Sequence, residues 1–279
     1  MTGADMAGPG SKMSDLYLIK LCGSLITDKT RPQTARKEVI ARLASEISEA
    51  HAASDAQLIV GHGSGSFGHV SAKEYGIHRG VESVDQLSGI GVTQGNASIL
   101  HGLVFQSLIS AGVPAFSLSP SSFAVAEKGL SETLWPEPLL LALDLGLVPA
   151  VYGDVVMDRE WGASICSTES LFLALTPALA SRGRFVRGVI WLGETDGVLD
   201  PNGKVIPQIG TDEIADIANG ISGASGVDVT GGMRHRLEAA ETLARLGVPS
   251  WIGNGLEAGN LVNATCEDVE GGTRILTGR

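Results

Sequence analysis

The stretch that most constrains this chain is Ile59-Val60-Gly61-His62-Gly63-Ser64-Gly65-Ser66-Phe67-Gly68-His69. An apolar run from Ala56 to Val60 reads as a buried strand. It passes directly into a loop of alternating glycines and serines that ends in a histidine. Glycine lets a backbone approach a ligand closely and take up positive φ. Successive N–H groups in such a loop, beside a helix N-terminus, form a concavity for anionic oxygens. The stretch therefore predicts a phosphate cradle at a strand end, with His69 placed to give a hydrogen bond or a proton to its contents. The alternative is a tight strand-to-helix turn that holds nothing.

Two known templates fit on paper: one, which a dinucleotide-dependent oxidoreductase would require, is weak, and the other fails on chemistry. Gly63-x-Gly65-x-x-Gly68 is a literal G-x-G-x-x-G, but the acidic residue a dinucleotide fold wants about 20 residues later is only loosely supplied by Glu82 or Asp85. Gly63 to Val70 nearly spells a P-loop, yet His69 stands where the lysine belongs and Val70 where the magnesium-binding hydroxyl belongs.

A chain of 279 residues with 43% hydrophobic content can bury one large α/β core or two lobes sharing a sheet. Its net charge of −11 argues against a nucleic-acid backbone or an anionic membrane as partner. No apolar run approaches the ~20 residues of a membrane span. The three cysteines, Cys22, Cys166 and Cys266, are odd in number and widely spaced. They predict neither a disulfide framework nor a zinc site, and point to a reducing compartment, the cytoplasm. Residues 1–13 are small and polar and read as a flexible leader outside the fold.

Along the chain, Leu16 to Leu21 reads as a first strand interrupted by Lys20 and ending in Cys22-Gly23-Ser24. A lysine on a buried strand is costly unless its charge meets an anion. Apolar spacing predicts helices over Arg36–Ala53, Ser83–Ala111, Leu139–Leu147, Glu169–Ser181 and Thr211–Ala218. Strands are expected at Pro114–Leu118, Val148–Tyr152, Val186–Leu192, Val248–Ile252 and Arg274–Thr277, and hairpins over Phe123–Leu134 and Val155–Ser167. Further glycine turns stand at Gly153-Asp154 and from Gly226 through Gly231-Gly232 to Met233. Strands alternating with helices predict a three-layer αβα sandwich with a mainly parallel central sheet. The expected division is residues 14–155 for one lobe and 156–279 for the other, meeting near Asp154 to Trp161. Ligands of such sheets bind at the carboxyl ends of the strands, where the glycine turns converge.

Those turns, together with the cations Lys20, Lys29 and Arg236 and the acids Asp154 and Glu169, suit direct phosphoryl transfer between two phosphate-bearing molecules. The protein's work there is to align donor and acceptor and to neutralise charge. At these residues the sequence resembles the amino acid kinase superfamily, and within it the isopentenyl phosphate kinases, over nearly the whole chain from Leu16. Lys20-Leu21-Cys22-Gly23-Ser24 matches the family's lysine–x–glycine–glycine–serine opening, and Ser66-Phe67-Gly68-His69 matches the ending of its glycine-rich loop. Tyr152-Gly153-Asp154-Val155-Val156 and Asp228-Val229-Thr230-Gly231-Gly232-Met233 match two later segments.

The resemblance implies ATP and Mg²⁺ as cofactors, a small phosphate as substrate, and a homodimer. It places Gly23, Ser24, Gly65, Asp196, Gly232 and Arg236 on the ATP side, with Lys20 and Glu169. Ser64, Gly68, His69 and Gly153 would hold the acceptor phosphate, and no residue is assigned as a metal ligand. Lys20, Lys29, His69 and Asp154 form the implied catalytic set, residues 14–155 the acceptor lobe and 156–279 the nucleotide lobe. Phe67, Ile90 and Val92 are candidates to wall the hydrocarbon tail. Two departures from the pattern stand out: Ser167-Thr168-Glu169 replaces a serine–glycine–aspartate, and Arg236 replaces a lysine. They leave open a kinase of another phosphate or phosphonate, of the fosfomycin type, and a homologue that binds oxyanions without turnover.

Overall fold

The computed structural model describes residues 14–77, 80–223, 231–266 and 269–278. The expected leader and the Gly226 to Thr230 part of the late glycine turn lie outside them.

Strand β1 (Leu16–Leu21) is buried along its whole length, as a strand covered on both faces must be. It leads into one helical turn, α1 (Gly23–Ile26), and then α2 (Lys37–Ala53), whose buried Ile40, Leu43, Ala44 and Ile47 repeat at helical spacing. β2 (Gln57–His62) ends at the glycine loop, inside which α3 (Gly65–Glu74) begins. α4 (Val84–Ser110) is capped where the Gln86 side chain accepts the Ser83 N–H at 3.0 Å. Next come β3 (Ala115–Ser117), the hairpin of β4 (Ala124–Glu127) and β5 (Leu130–Leu134), α5 (Glu137–Asp144) and β6 (Val148–Tyr152). A second hairpin, β7 (Asp154–Asp158) and β8 (Gly162–Cys166), precedes α6 (Thr168–Ala180) and β9 (Val186–Gly193). The chain closes with β10 (Gln208–Ile209), α7 (Ile214–Gly223), α8 (Gly231–Arg245), β11 (Ser250–Asn254), α9 (Asn260–Thr265) and β12 (Thr273–Ile275).

Eight strands form the central sheet in the order β10-β12-β11-β9-β1-β2-β6-β3. Neighbours are parallel except β11 and β12. Alternate residues of β1 face opposite layers. Leu16 and Leu18 join one core with Phe172, Leu175, Leu237 and Trp191. Tyr17, Ile19 and Leu21 join the other with Leu43, Ile47, Leu100 and Val104. Helices α6 and α8 thus cover one face and α2 and α4 the other, which makes the αβα sandwich. The two hairpins combine into a separate sheet, β5-β4-β7-β8, through the parallel pairing of β4 with β7. No helix among the described residues is long and apolar enough to cross a membrane.

The register sets the site. Leu21 lies opposite His62 and Leu192, and His62 opposite Tyr152, so four strands end at one level. Past that level the turns are tied to each other by backbone hydrogen bonds. Gly255 N–H donates to the Gly193 carbonyl at 2.8 Å and Cys22 N–H to Leu192 at 2.9 Å. Gly63 N–H donates to Leu21 at 3.0 Å and Gly153 N–H to His62 at 2.9 Å. The glycine turns therefore form one continuous rim.

Gly61, just below that rim, is the point where α6 lies on the sheet. A Cβ there would sit 2.5 Å from the Thr168 methyl and 2.7 Å from Phe172. Gly61→Ala is expected to lift α6 and lower stability by about 1–3 kcal/mol, the usual range for overpacking. A urea midpoint equal to that of the parent would show that the helix yields freely.

Candidate active site

The centre of the rim is a backbone contact between two turns. A Cβ on Gly23 would lie 2.6 Å from the Gly65 nitrogen, and Gly65 itself has φ +49°, so a Cβ there would run into Thr27. Glycine is needed at both positions. Thr27 locks the arrangement, donating its hydroxyl to the Gly23 carbonyl at 2.6 Å and accepting the Ser66 N–H at 3.1 Å. The start of α3 thus faces the turn that carries Gly23 and Ser24.

Lys20 points to the same side of β1 as Leu16 and Leu18, toward α6 and beneath the rim. Only 4% of it is exposed. Its ammonium pairs with Glu169 and lies 5.9 Å from the Trp191 ring centroid. Glu169 sits in the first turn of α6, which is capped by Ser167 accepting the Ser170 N–H at 3.0 Å. Burial pushes Lys20 down to about 8, and the Arg236 guanidinium acts in the same direction. The side chain of Cys22 opposes both, and the ion pair with Glu169 favours the charged form. Glu169, not Asp154, is therefore the carboxylate that organises Lys20.

Arg236 is buried on α8, its Nε donating to the Gly232 carbonyl at 3.1 Å. It lies flat on the end of β9, where a Gly193 Cβ would be 2.6 Å from Nη1. Nη1 has no hydrogen-bond partner among the described residues. A buried guanidinium nitrogen left unsatisfied is a position at which an anion gains most. Asp196 stands exposed on the loop after β9 and accepts from the Asn254 amide at 2.8 Å.

On the other side of β1, Ser64, Gly68, His69, Gly153 and Asp154 line one cavity of about 790 Å³. Gly153 packs against Ser64, a Cβ there lying 3.6 Å from the Ser64 nitrogen. Gly68 leaves room for the Ser64 hydroxyl, which a Cβ would approach to 2.5 Å. His69 opens into this cleft from α3. Desolvation there, and then the charges of Lys29 and Lys20, hold its pKa below the ordinary imidazole value. Both lysines are thus close enough to His69 to act on it. Lys29 is exposed and makes no ion pair among the described residues. Asp154 is buried, accepts the N–H groups of Ser121 at 3.1 Å and Val155 at 2.8 Å, and has its pKa raised by burial.

The rest of the lining is the apolar Ala72, Ala97, Val155 and Ile165 together with Lys73, Gly76 and Thr93. Of the expected tail residues, Phe67 belongs to the core beneath the sheet and Val92 is 42% exposed. Ile90 shares the face of α4 that carries Thr93 and Ala97, and packs with Ala72, Val155 and Ile165 beside the cavity. The real wall draws on small residues of α3 and α4 and on the second hairpin, and long-range pairing of that kind leaves no local signal.

Residues 15–254 match the family model of the amino acid kinase family, and the chain belongs to that family. Within it, the likeness is to isopentenyl phosphate kinases. The chain is 34% identical to the isopentenyl phosphate kinase of Methanothermobacter thermautotrophicus over 93% of its own length and 98% of that protein's. It is 31% identical to that of Methanocaldococcus jannaschii, over 92% and 97%. An X-ray structure of isopentenyl phosphate kinase superposes with a TM-score of 0.77 at 30% identity, covering 93% of this chain and all of that one.

Glu169→Ala would leave the buried Lys20 facing Arg236 without its carboxylate. We expect a stability loss of about 3 kcal/mol at pH 7, the low end for a broken buried pair because Lys20 can release its proton. A double-mutant cycle with Lys20→Ala in urea denaturation measures the coupling, and additive losses would show that the pair contributes nothing.

Proposed function

We propose that the protein transfers the γ-phosphoryl group of ATP to isopentenyl phosphate, giving isopentenyl diphosphate and ADP. The observation that carries this reading is the cavity itself, whose lining joins Ser64, His69 and Gly153 of the rim to the apolar Ala72, Ala97, Val155 and Ile165. An acceptor with a phosphate head and a short hydrocarbon tail matches both kinds of surface. The similar proteins described above are isopentenyl phosphate kinases.

In this reading residues 14–155 form the acceptor lobe and residues 156–279 the nucleotide lobe, and the turn after β1 and the start of α3 reach from the first lobe to the nucleotide's phosphates. Gly23, Ser24 and Gly65 receive the ATP phosphates on backbone N–H groups. Arg236, Gly232 and Asp196 lie along the rest of the nucleotide, and the free Nη1 of Arg236 is a ready anion donor. Ser64, Gly68, Gly153 and His69 hold the acceptor phosphate, whose ionised oxygen attacks the γ-phosphorus as the bond to the bridging oxygen of ADP breaks. Lys20, kept in place by Glu169, and Lys29 neutralise the charge that spreads over the moving group, and Asp154 fixes the start of β7 beside it.

Among the described residues no three His, Cys, Asp or Glu side chains gather as a metal cluster. In this reading Mg²⁺ would be carried on the nucleotide phosphates, where it would neutralise their oxygens. We place the protein in the cytoplasm because its three cysteines are odd in number and widely spaced in the sequence. We read it as a homodimer that covers the exposed Val84, Leu87 and Ile99 of α4 and Phe116 of the edge strand β3. Sedimentation equilibrium decides the assembly, and a monomer at micromolar concentration would refute it.

Following ADP release with isopentenyl phosphate, and separately with fosfomycin, tests the acceptor. Turnover on fosfomycin alone would move the assignment, and tight nucleotide binding without turnover would leave a binding protein. His69→Ala is expected to raise the acceptor KM about 10-fold or more, the loss of one hydrogen bond to a charged group, with the ATP KM nearly unchanged. Lys29→Ala should instead depress kcat, on the order of 10²-fold, because its contact strengthens in the transition state. Unaltered kcat would remove Lys29 from the catalytic set.

The pH profile follows from Lys20, which is charged below about 8 and neutral above it in the free protein. Accordingly kcat/KM should fall as the pH rises through about 8. Lys20→Arg keeps its proton and should lose that alkaline limb, even at a reduced rate. A limb that stays in place assigns the ionisation to another group.

A further inference from the structure

Beneath the acceptor side of the rim lies a column of buried rings. His62 ends β2, Tyr152 ends β6 and His101 projects from the middle of α4, and their exposures are 1%, 2% and 6%. His62 Nε2 is 3.0 Å from His101 Nδ1, with the rings tilted by 17°. His62 Nδ1 is 3.0 Å from the Gly63 carbonyl, and His101 Nε2 is 2.8 Å from the Ser117 hydroxyl. Tyr152 stacks on His101 with centroids 4.3 Å apart, its own hydroxyl 2.9 Å from Ser119 Oγ.

The direction of every bond in this chain is fixed by its last member. A carbonyl only accepts, so His62 carries its proton on Nδ1. A neutral His62 then offers a lone pair at Nε2, so His101 must donate from Nδ1. That leaves His101 Nε2 to accept the Ser117 hydroxyl. Burial holds both imidazoles neutral, at about 4 for His62 and about 3 for His101, where the charge of His62 adds to burial. All four ring nitrogens are satisfied, and only in this one arrangement.

The Gly63 carbonyl belongs to the same planar peptide as the Ser64 N–H, which points the opposite way. Holding that carbonyl down toward His62 turns the Ser64 N–H up, against Gly153. The His62 carbonyl in turn accepts the Gly153 N–H at 2.9 Å and the Thr168 hydroxyl at 2.7 Å. One residue thus ties together the cradle, the β6 turn and the α6 turn that carries Glu169.

We infer that His62 and His101 are positioning residues for the acceptor phosphate: a one-way chain of hydrogen bonds, from Ser117 through both imidazoles to the Gly63 carbonyl, sets the peptide that presents the Ser64 N–H. The inference rests on the acceptor reading given above, but its first test does not. Long-range ¹H–¹⁵N spectra of the full-length protein labelled in histidine should show both His62 and His101 as Nδ1–H tautomers at pH 7. An Nε2–H tautomer at either ring would overturn the chain. In kinetics, His101→Leu removes the donor to His62 and should raise the acceptor KM about 10-fold, the value of roughly one buried hydrogen bond, with the ATP KM changed less than about twofold. His101→Asn, whose amide nitrogen can stand in for Nδ1, should restore the acceptor KM to within about threefold of the parent. Equal losses in the two variants, or a matching rise in the ATP KM, would reduce the pair to a general structural role. Should His101→Leu fail to fold, Ser117→Ala takes its place, with the tautomers read again at His101. A parent protein inactive on isopentenyl phosphate would sink the acceptor assignment, while the spectra would still decide the tautomers.

Discussion

Everything at the rim is arranged around one ammonium that the sheet buries. Lys20 is in the central strand of the sheet, with β2 on one side and β9 on the other, and helices cover both faces. A charge in that position is unfavourable by several kcal/mol unless a partner reaches it. The partner is Glu169, and its reach dictates the neighbourhood. α6 must start directly over the sheet, which requires a glycine at position 61, and Thr168 ties that first turn to the His62 carbonyl. The geometry of the donor and acceptor turns thus follows from accommodating a single lysine.

The two departures from the family pattern belong to this same neighbourhood. Glu169 touches Lys20, and Arg236 is close enough to lower its pKa. A glutamate reaches one methylene further than the aspartate of the pattern, so it can span from the α6 turn to the strand. An arginine cannot release its charge as a lysine can, and its planar fork lies flat on the glycine at the end of β9. Lys20 therefore has a carboxylate partner and, near it, a second buried cation with one nitrogen that lacks a partner among the described residues. Such a set carries excess positive charge facing the turn that would receive phosphates. This favours a site that binds an anion over an empty turn, and a homologue that binds oxyanions without turnover would keep the same feature.

Much of this was legible in the residues and some was not. The αβα class, the long strands and helices and both hairpins could be read from periodicity and glycine punctuation, because each is a local signal. The glycine loop and its histidine were legible because close backbone approach and an anion site demand unusual residues in one short stretch. β10 and α9 are two and six residues long, too short for a period to register. The partner of Lys20 was equally out of reach, since Lys20 and Glu169 meet only after β1, β2 and α6 have packed. The cavity wall was legible only in part: Phe67 and Val92 lie close to the cradle in sequence, but the phase of their helices, not proximity, decides which residues face an opening, while Ile90 does pack beside the cavity. His62 and His101 gave no signal at all, being separated by 39 positions and neutral in the folded state.

The balance of charge across the rim explains why the chain can be strongly acidic and still hold two anions end to end. Its net charge is −11, so the field far from the site repels phosphates. Capture must come from short-range groups that act only once the ligand is in place. Backbone N–H groups at Gly23, Ser64 and Gly65 carry no net charge, so in the proposed reading the cations that meet the acceptor are Lys20 and Lys29, which act on His69, and Lys73, which lines the same cavity. Burial, and then the charges of Lys29 and Lys20, hold the His69 imidazole below its ordinary pKa, and a phosphate bound beside it would favour the imidazolium. The positive charge is thus concentrated at the one place where two phosphates would be brought together.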